Sequence, residues 1–286
     1  MPASHILPSF HAWLEENPAG LEAVVLDVDG ILIRGRRAIP GAGILLRGLR
    51  ERGFPFLLLT NDGCHSPEEK SRFLRDSSVP VWPADMVSCG HGLYAIRERM
   101  GPGSPLVFAM GSLGKPCFAE GAGFTVTRDI DRLPECAAVV VGEKRYDWHD
   151  NVIAVYNFLL GNTDIPLLVP NPDDTFPREG GQMGVASGAI ARLVQQLCQA
   201  AGHHLEPVYL GKPYSPIFEY AHNALEKRLD RSVDRHRILI LGDSLTSDIP
   251  GGRDFGYLTG LALTGMTNQT MLARSKLKPD YVFHRL

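Results

Sequence analysis

The chain has 286 residues, a formal net charge of −3, 44% hydrophobic and 21% charged residues, the balance of a globular protein with one large domain or two modest ones. That charge gives no basic field for nucleic acid, and no stretch approaches the roughly 18 consecutive apolar residues of a membrane span. The start, "MPASHILPSFHAWLEENPAG", lacks a basic segment before an apolar core, so no signal peptide is expected, and five scattered cysteines without a C-x-x-C suit reduced thiols in a cytoplasmic protein.

In chain order, "AVVLDVDG" reads as a buried strand that ends in Asp27 and Asp29. The Arg34, Arg36, Arg37 group that follows is too short for a nucleic-acid arm. "GAGILLRGLRERG" has apolar residues at helical spacing and stops at Gly53. "FPFLLLTN" is a second apolar strand, closing on Thr60 and Asn61. "SPEEKSRFLRD" opens a helix with Ser66 as N-cap, Pro67 in the first turn and Glu69 completing a capping box.

A separate strand–helix alternation follows in "PLVFAMG", "AAVVVGEKRYDWHDNVIAVYNFLLGN", "IPLLVPNPDD" and "GAIARLVQQLCQAAG". Its length favours an inserted domain over one enlarged core. "PVYLGKP" returns to the first sheet as a short strand delivering Lys212. "SPIFEYAHNALEKRL" repeats the Ser-Pro helix start at Ser215 and Pro216. "RILILGDSLTSDI" is the last strong strand, with Asp243 just past its end and Asp248 five residues on. Strands separated by such helices predict an α/β, doubly wound parallel sheet.

In such sheets ligands bind beyond the carboxyl ends of the strands. There the sequence places three or four carboxylates, a hydroxyl, an amide and an ammonium. Carboxylates converging without His or Cys suit a hard cation, Mg²⁺. A lysine and a hydroxyl beside them suit phosphate oxygens. One carboxylate can attack phosphorus, and a second can serve as general acid and base. The ten histidines show no H-x-x-x-H spacing for zinc. An EF-hand is excluded, because the twelfth residue counted from Asp27 is Ala38 rather than Glu.

"DVDG", "LLLTN", "GKP" and "GDSLTSD", in this order, resemble the four motifs of the haloacid dehalogenase (HAD) superfamily. An insertion between the second and third motifs, together with "DGILIRGRRAIPGA" and "GKPYSPIFEYA", is similar to the NagD-like branch, subfamily IIA. The resemblance implies a Rossmann-like core at 1–85 and 207–286 and an α/β cap domain at 86–206 that closes over the site. It implies a Mg²⁺-dependent phosphatase of small phosphorylated metabolites, working through an aspartyl phosphate. Asp27 would be nucleophile and metal ligand. Asp29 would be general acid/base, with its backbone carbonyl on the metal. Thr60 and Asn61 would hold the phosphoryl group, Lys212 would neutralise charge, and Asp243 and Asp248 would serve the metal.

Caps of this branch read the substrate and commonly form dimer contacts, which leaves a homodimer through the cap open, and Asn171, Asp173, Asp174 and Arg178 are the candidate substrate-reading residues. "TNDGCHS" departs from the pattern: Asp62 and Gly63 stand where many relatives carry Asn and Ser. Pro170 likewise replaces a common Thr. Literal dehalogenation would leave Asp29 and Asp243 superfluous. The alternative, an inactive binding protein on the same fold, is opposed by the intact motif set.

Overall fold

The computed structural model describes residues 6–17, 19–144, 147–177 and 182–286. Arg178 lies outside the described residues. The chain divides into two compact units. The first comprises Met1–Thr60, Lys70–Val87 and Lys212–Leu286; the second comprises Asn61–Glu69 and Ser88–Gly211.

The first unit is built on seven strands in the order β1 (Ile6–Ser9), β16 (Tyr281–Arg285), β15 (Leu258–Ala262), β14 (Ile238–Gly242), β2 (Ala23–Leu26), β5 (Phe56–Thr60) and β6 (Met86–Ser88). From β1 through β5 every neighbouring pair is parallel. The central strands are buried along their whole length, which is why they read as apolar runs without alternation. On one face Val24, Leu26, Phe56, Leu58, Leu239 and Leu241 pack with Leu45, Leu46 and Leu49 of the helix Ala42–Glu51. On the other face the helix Asp248–Phe255 comes so close that a Cβ on Gly252 would meet Ile240 Cγ2 at 2.3 Å. Helices on both faces make the sheet doubly wound.

The register aligns the strand ends. Leu26 lies opposite Leu241 and Leu58, so Asp27, Gly242 and Leu59 come next along one carboxyl edge. The helix Ala42–Glu51 ends as its sequence implies. Gly53 adopts φ +60°, and Phe54 N–H donates to Leu49 C=O at 2.8 Å while Gly53 N–H donates to Arg50 C=O at 3.0 Å, a Schellman motif. Ser66 and Glu69 form the expected capping box: Glu69 N–H donates to Ser66 Oγ at 3.3 Å, and Ser66 N–H donates to Glu69 Oε2 at 3.0 Å.

The second unit holds five strands in the order β13 (Val208–Tyr209), β10 (Leu167–Val169), β9 (Ala138–Val141), β7 (Leu106–Met110) and β8 (Thr125–Thr127). Alternate residues of β7 and β9 enter two separate cores: Phe108, Met110, Val139 and Val141 on one face, Val107, Ala109, Ala138 and Val140 on the other. Two antiparallel pairs, β3 (Ile33–Arg34) with β4 (Arg37–Ala38) and β11 (Thr175–Pro177) with β12 (Met183–Val185), complete the strands among the described residues.

Three sequence expectations need correction. The strand before Lys212, β13, pairs with β10 of the second sheet and not with the first. Tyr214, rather than Ser215, is the N-cap of the helix Ser215–Leu229, and Ser215 and Pro216 fill its first turn. The strand ending before Asp243 is not the last, because β15 and β16 follow it. Among the described residues no helix is long and apolar enough to cross a membrane.

Candidate active site

Asp27 is the first residue past β2, and its N–H still donates to Leu241 C=O at 2.9 Å, so the sheet holds its backbone. Val28 is fully buried, whereas the Asp29 side chain is 51% exposed. At Gly30 the backbone turns through φ +92°. The two aspartates therefore meet different surroundings. Asp27 is buried at the sheet edge, and Asp29 reaches solvent.

Lys212 lies at the centre of the buried part. Its ammonium donates to Asp27 Oδ1 at 2.7 Å, Asp248 Oδ1 at 2.7 Å and Leu59 C=O at 3.0 Å, one acceptor for each of its three protons. Burial works against that charge, but Asp248 and Asp27 outweigh it and raise the Lys212 pKa. Asp248 is fully buried on the first turn of its helix and also accepts Ser244 N–H at 3.1 Å. Asp243 accepts Met266 N–H on Oδ2 at 2.6 Å. A Cβ on Gly265 or Gly30 would lie 1.8 or 2.1 Å from that oxygen, so both glycines leave room for the carboxylate. Thr60 is buried at the end of β5.

Donor oxygens of Asp27, Asp243 and Asp248 lie within 4.8 Å of one another. Three buried carboxylates and one ammonium carry a net charge of −2 when all are ionised. Burial is the largest cause raising the Asp27 pKa well above the carboxylate range, and burial followed by Asp248 raises Asp243 to about 7. Asp248 and Asp243 add their repulsion at Asp27. A buried all-oxygen set with excess negative charge fits a hard divalent cation such as Mg²⁺.

Sequence reasoning missed Lys70. Its ammonium, on the helix Pro67–Asp76, pairs with Asp29 Oδ2 at 3.0 Å from an almost buried position. No motif signals it; only the fold brings this helix to Asp29. The remaining candidate residues belong to the second unit. The Asn61 side-chain amide donates to both carboxylate oxygens of Asp173 at 3.2 Å. Asn171 is buried, donating to Glu143 Oε1 at 2.6 Å and accepting Asp173 N–H at 2.9 Å. Asp174 is exposed and paired with Arg192.

The model of the haloacid dehalogenase-like hydrolases matches residues 24–125, and a second HAD-hydrolase-like model matches 209–286. Chronophin of Rattus norvegicus is 30% identical over 86% of this chain and 78% of its own length. The chain belongs to the haloacid dehalogenase-like hydrolases. Within that family it falls in the NagD-like branch. It is 26% identical to the dihydroxyacetone phosphatase of Corynebacterium glutamicum over 91% of this chain and 87% of the relative. The structure of p-nitrophenyl phosphatase from Archaeoglobus fulgidus superimposes with a TM-score of 0.78 at 26% identity, covering 93% of this chain and 96% of the other. The two HAD matches contain Asp27, Asp29 and Thr60 in one and Lys212, Asp243 and Asp248 in the other.

Proposed function

We propose that this HAD-family protein is a Mg²⁺-dependent phosphatase of small phosphorylated metabolites, with residues 86–206 as its substrate-selecting cap. The observation that carries the reading is Lys212, which joins buried Asp27 and Asp248 beside Asp243 at the carboxyl edge of the sheet. The relatives named as phosphatases support it.

In this reading Asp27 is the nucleophile, supported by its burial, its sheet-held backbone and its contact with Lys212. Its carboxylate forms a bond to phosphorus as the bond to the leaving oxygen breaks, and Asp29 gives that oxygen a proton. Asp29 then takes a proton from water. The water oxygen bonds to phosphorus, the aspartyl phosphate opens, and Asp27 is restored. Half-exposed Asp29 suits proton exchange with solvent, and Lys70 orients it. Lys212 offsets charge on the Asp27 carboxylate, and Thr60 and the Asn61 backbone hold the phosphoryl group. Mg²⁺, held by Asp27, Asp243, Asp248 and the Asp29 carbonyl, would supply electrostatic stabilisation of the phosphoryl oxygens.

The test is a panel of phosphate esters: p-nitrophenyl phosphate, triose and sugar phosphates, nucleotides, phosphoglycolate and pyridoxal phosphate. Phosphate release that EDTA abolishes and Mg²⁺ restores is the expected result. A folded protein that binds Mg²⁺ and releases phosphate from none of them would favour the inactive binding protein.

A further inference from the structure

The second unit carries a different donor cluster in the loop that follows Asn61. Asp62, Cys64 and His65 bring a carboxylate, a thiol and an imidazole within 4.8 Å of one another. The separations are nearly equal: Cys64 Sγ to Asp62 Oδ1 is 3.3 Å, Cys64 Sγ to His65 Nδ1 is 3.4 Å, and His65 Nδ1 to Asp62 Oδ1 is 3.1 Å. Tetrahedral zinc, with bonds of roughly 2.0 to 2.3 Å, spaces its ligands about 3.3 to 3.7 Å apart. The triangle is close to one face of that tetrahedron.

Hydrogen bonds to the Asp62 carboxylate hold the three side chains together. Asp62 Oδ1 lies within hydrogen-bond range of Cys64 N, Cys64 Sγ, His65 N and His65 Nδ1, at 3.1 to 3.3 Å. The imidazole nitrogen lies closer still to the second carboxylate oxygen, at 2.9 Å from Asp62 Oδ2, so the two backbone N–H groups can fill the lone pairs of Oδ1. A cation in the triangle keeps the backbone bonds, since a thiolate and a neutral imidazole nitrogen then point lone pairs at the ion while the Cys64 and His65 N–H groups still donate to Asp62.

The surroundings are already ordered for it. Asp62 C=O accepts Ser88 Oγ at 2.7 Å, and Asn61 C=O accepts Cys89 Sγ at 3.2 Å. Ser112 and Glu143 exchange backbone hydrogen bonds at 2.7 and 3.1 Å, and Ser112 Oγ donates to Cys64 C=O at 3.4 Å. This frame holds the buried Glu143 carboxyl beside the Cys64 thiol, with the Lys144 ammonium also in reach. Burial, Asp62 and Glu143 all keep the thiol protonated without an ion, which argues against an activated nucleophile.

We propose that Asp62, Cys64 and His65 form a binding site for a zinc-class divalent ion, with the fourth position open to water. Sulfur and imidazole nitrogen select a borderline-soft metal, in contrast to the all-oxygen set of Asp27, Asp243 and Asp248. His65 is part-exposed, at 41% of its side chain, which gives the ion an entry path.

The test uses untagged, full-length protein stripped with EDTA and kept in excess Mg²⁺. Zinc is titrated against a chromophoric chelator, and cobalt is then substituted for zinc. The site predicts one zinc equivalent that Mg²⁺ does not displace and a thiolate-to-cobalt charge-transfer band. Cys64→Ser and His65→Asn weaken zinc roughly 100-fold or more, while Asp243→Asn leaves it unchanged. A cobalt complex without the thiolate band, or zinc affinity unchanged in His65→Asn, overturns the proposal. The wild-type cobalt spectrum decides the matter even if Cys64→Ser misfolds.

Discussion

Lys212 shows how one buried cation controls several anions. Its three protons are all used, two of them on buried carboxylates. Replacing one partner of such a set leaves uncompensated charge in the interior, at a cost of about 3–5 kcal/mol. Lys212→Met is therefore expected to lower stability by about that much at neutral pH, read as a fall in unfolding midpoint. A midpoint equal to wild type would show that the carboxylates do not depend on the lysine. His91 carries the opposite kind of charge constraint. Burial is the main cause holding its pKa down, at about 4, below its ordinary 6.5. The unfolded chain then binds the proton more readily, so stability present above pH 6.5 is lost as pH falls towards 4. Between pH 7 and pH 4.5 this amounts to about 2–3 kcal/mol. His91→Gln should lose less stability than wild type over that interval in melting experiments; equal losses would exclude His91 as a source of acid sensitivity.

At the scale of elements, the helix start at Ser66 is the most fully readable from sequence. Capping depends on residues three apart, and the expected box forms. Ser66 Oγ additionally donates to Lys115 C=O at 2.6 Å, and Glu69 accepts Lys115 N–H at 2.8 Å. Ser66→Ala should cost about 1–2 kcal/mol in chemical denaturation, and no change would mean that the cap is dispensable. Ser215 shows the limit of the same rule. The Ser-Pro pair marks the right turn, but Tyr214 takes the cap position. Apolar runs revealed β2, β5 and β14 because burial on both faces removes alternation. β1 is short, contains Pro8 and is only half-buried, β15 carries Gly260, and β16 ends in exposed His284 and Arg285. Their strand character comes from pairing with one another, which local pattern does not report. β13 is two residues long, and only its partner β10 decides which sheet it joins.

For the whole molecule, the parallel register turns scattered sequence positions into one edge. Asp27, Thr60 and Asp243 were legible as candidates because each ends or directly follows an apolar strand. Lys70, Gly30 and Gly265 were not, because their roles depend on the approach of distant segments to Asp29 and Asp243. A metal ion held by the carboxylate cluster would couple binding to stability. An ion bound only by the folded state stabilises by about 2.7 kcal/mol at one hundred times its dissociation constant. Mg²⁺ should accordingly raise the melting temperature of wild type and not that of Asp243→Asn. Equal shifts in both would place the ion elsewhere. The central claim is that Asp27 is the nucleophile of a phosphatase. Its most direct measurement is release of p-nitrophenol from p-nitrophenyl phosphate by folded wild type and Asp27→Asn in saturating Mg²⁺. With Asp27 as nucleophile, kcat is lower by about four powers of ten or more in the variant; comparable turnover by the two proteins would contradict that role.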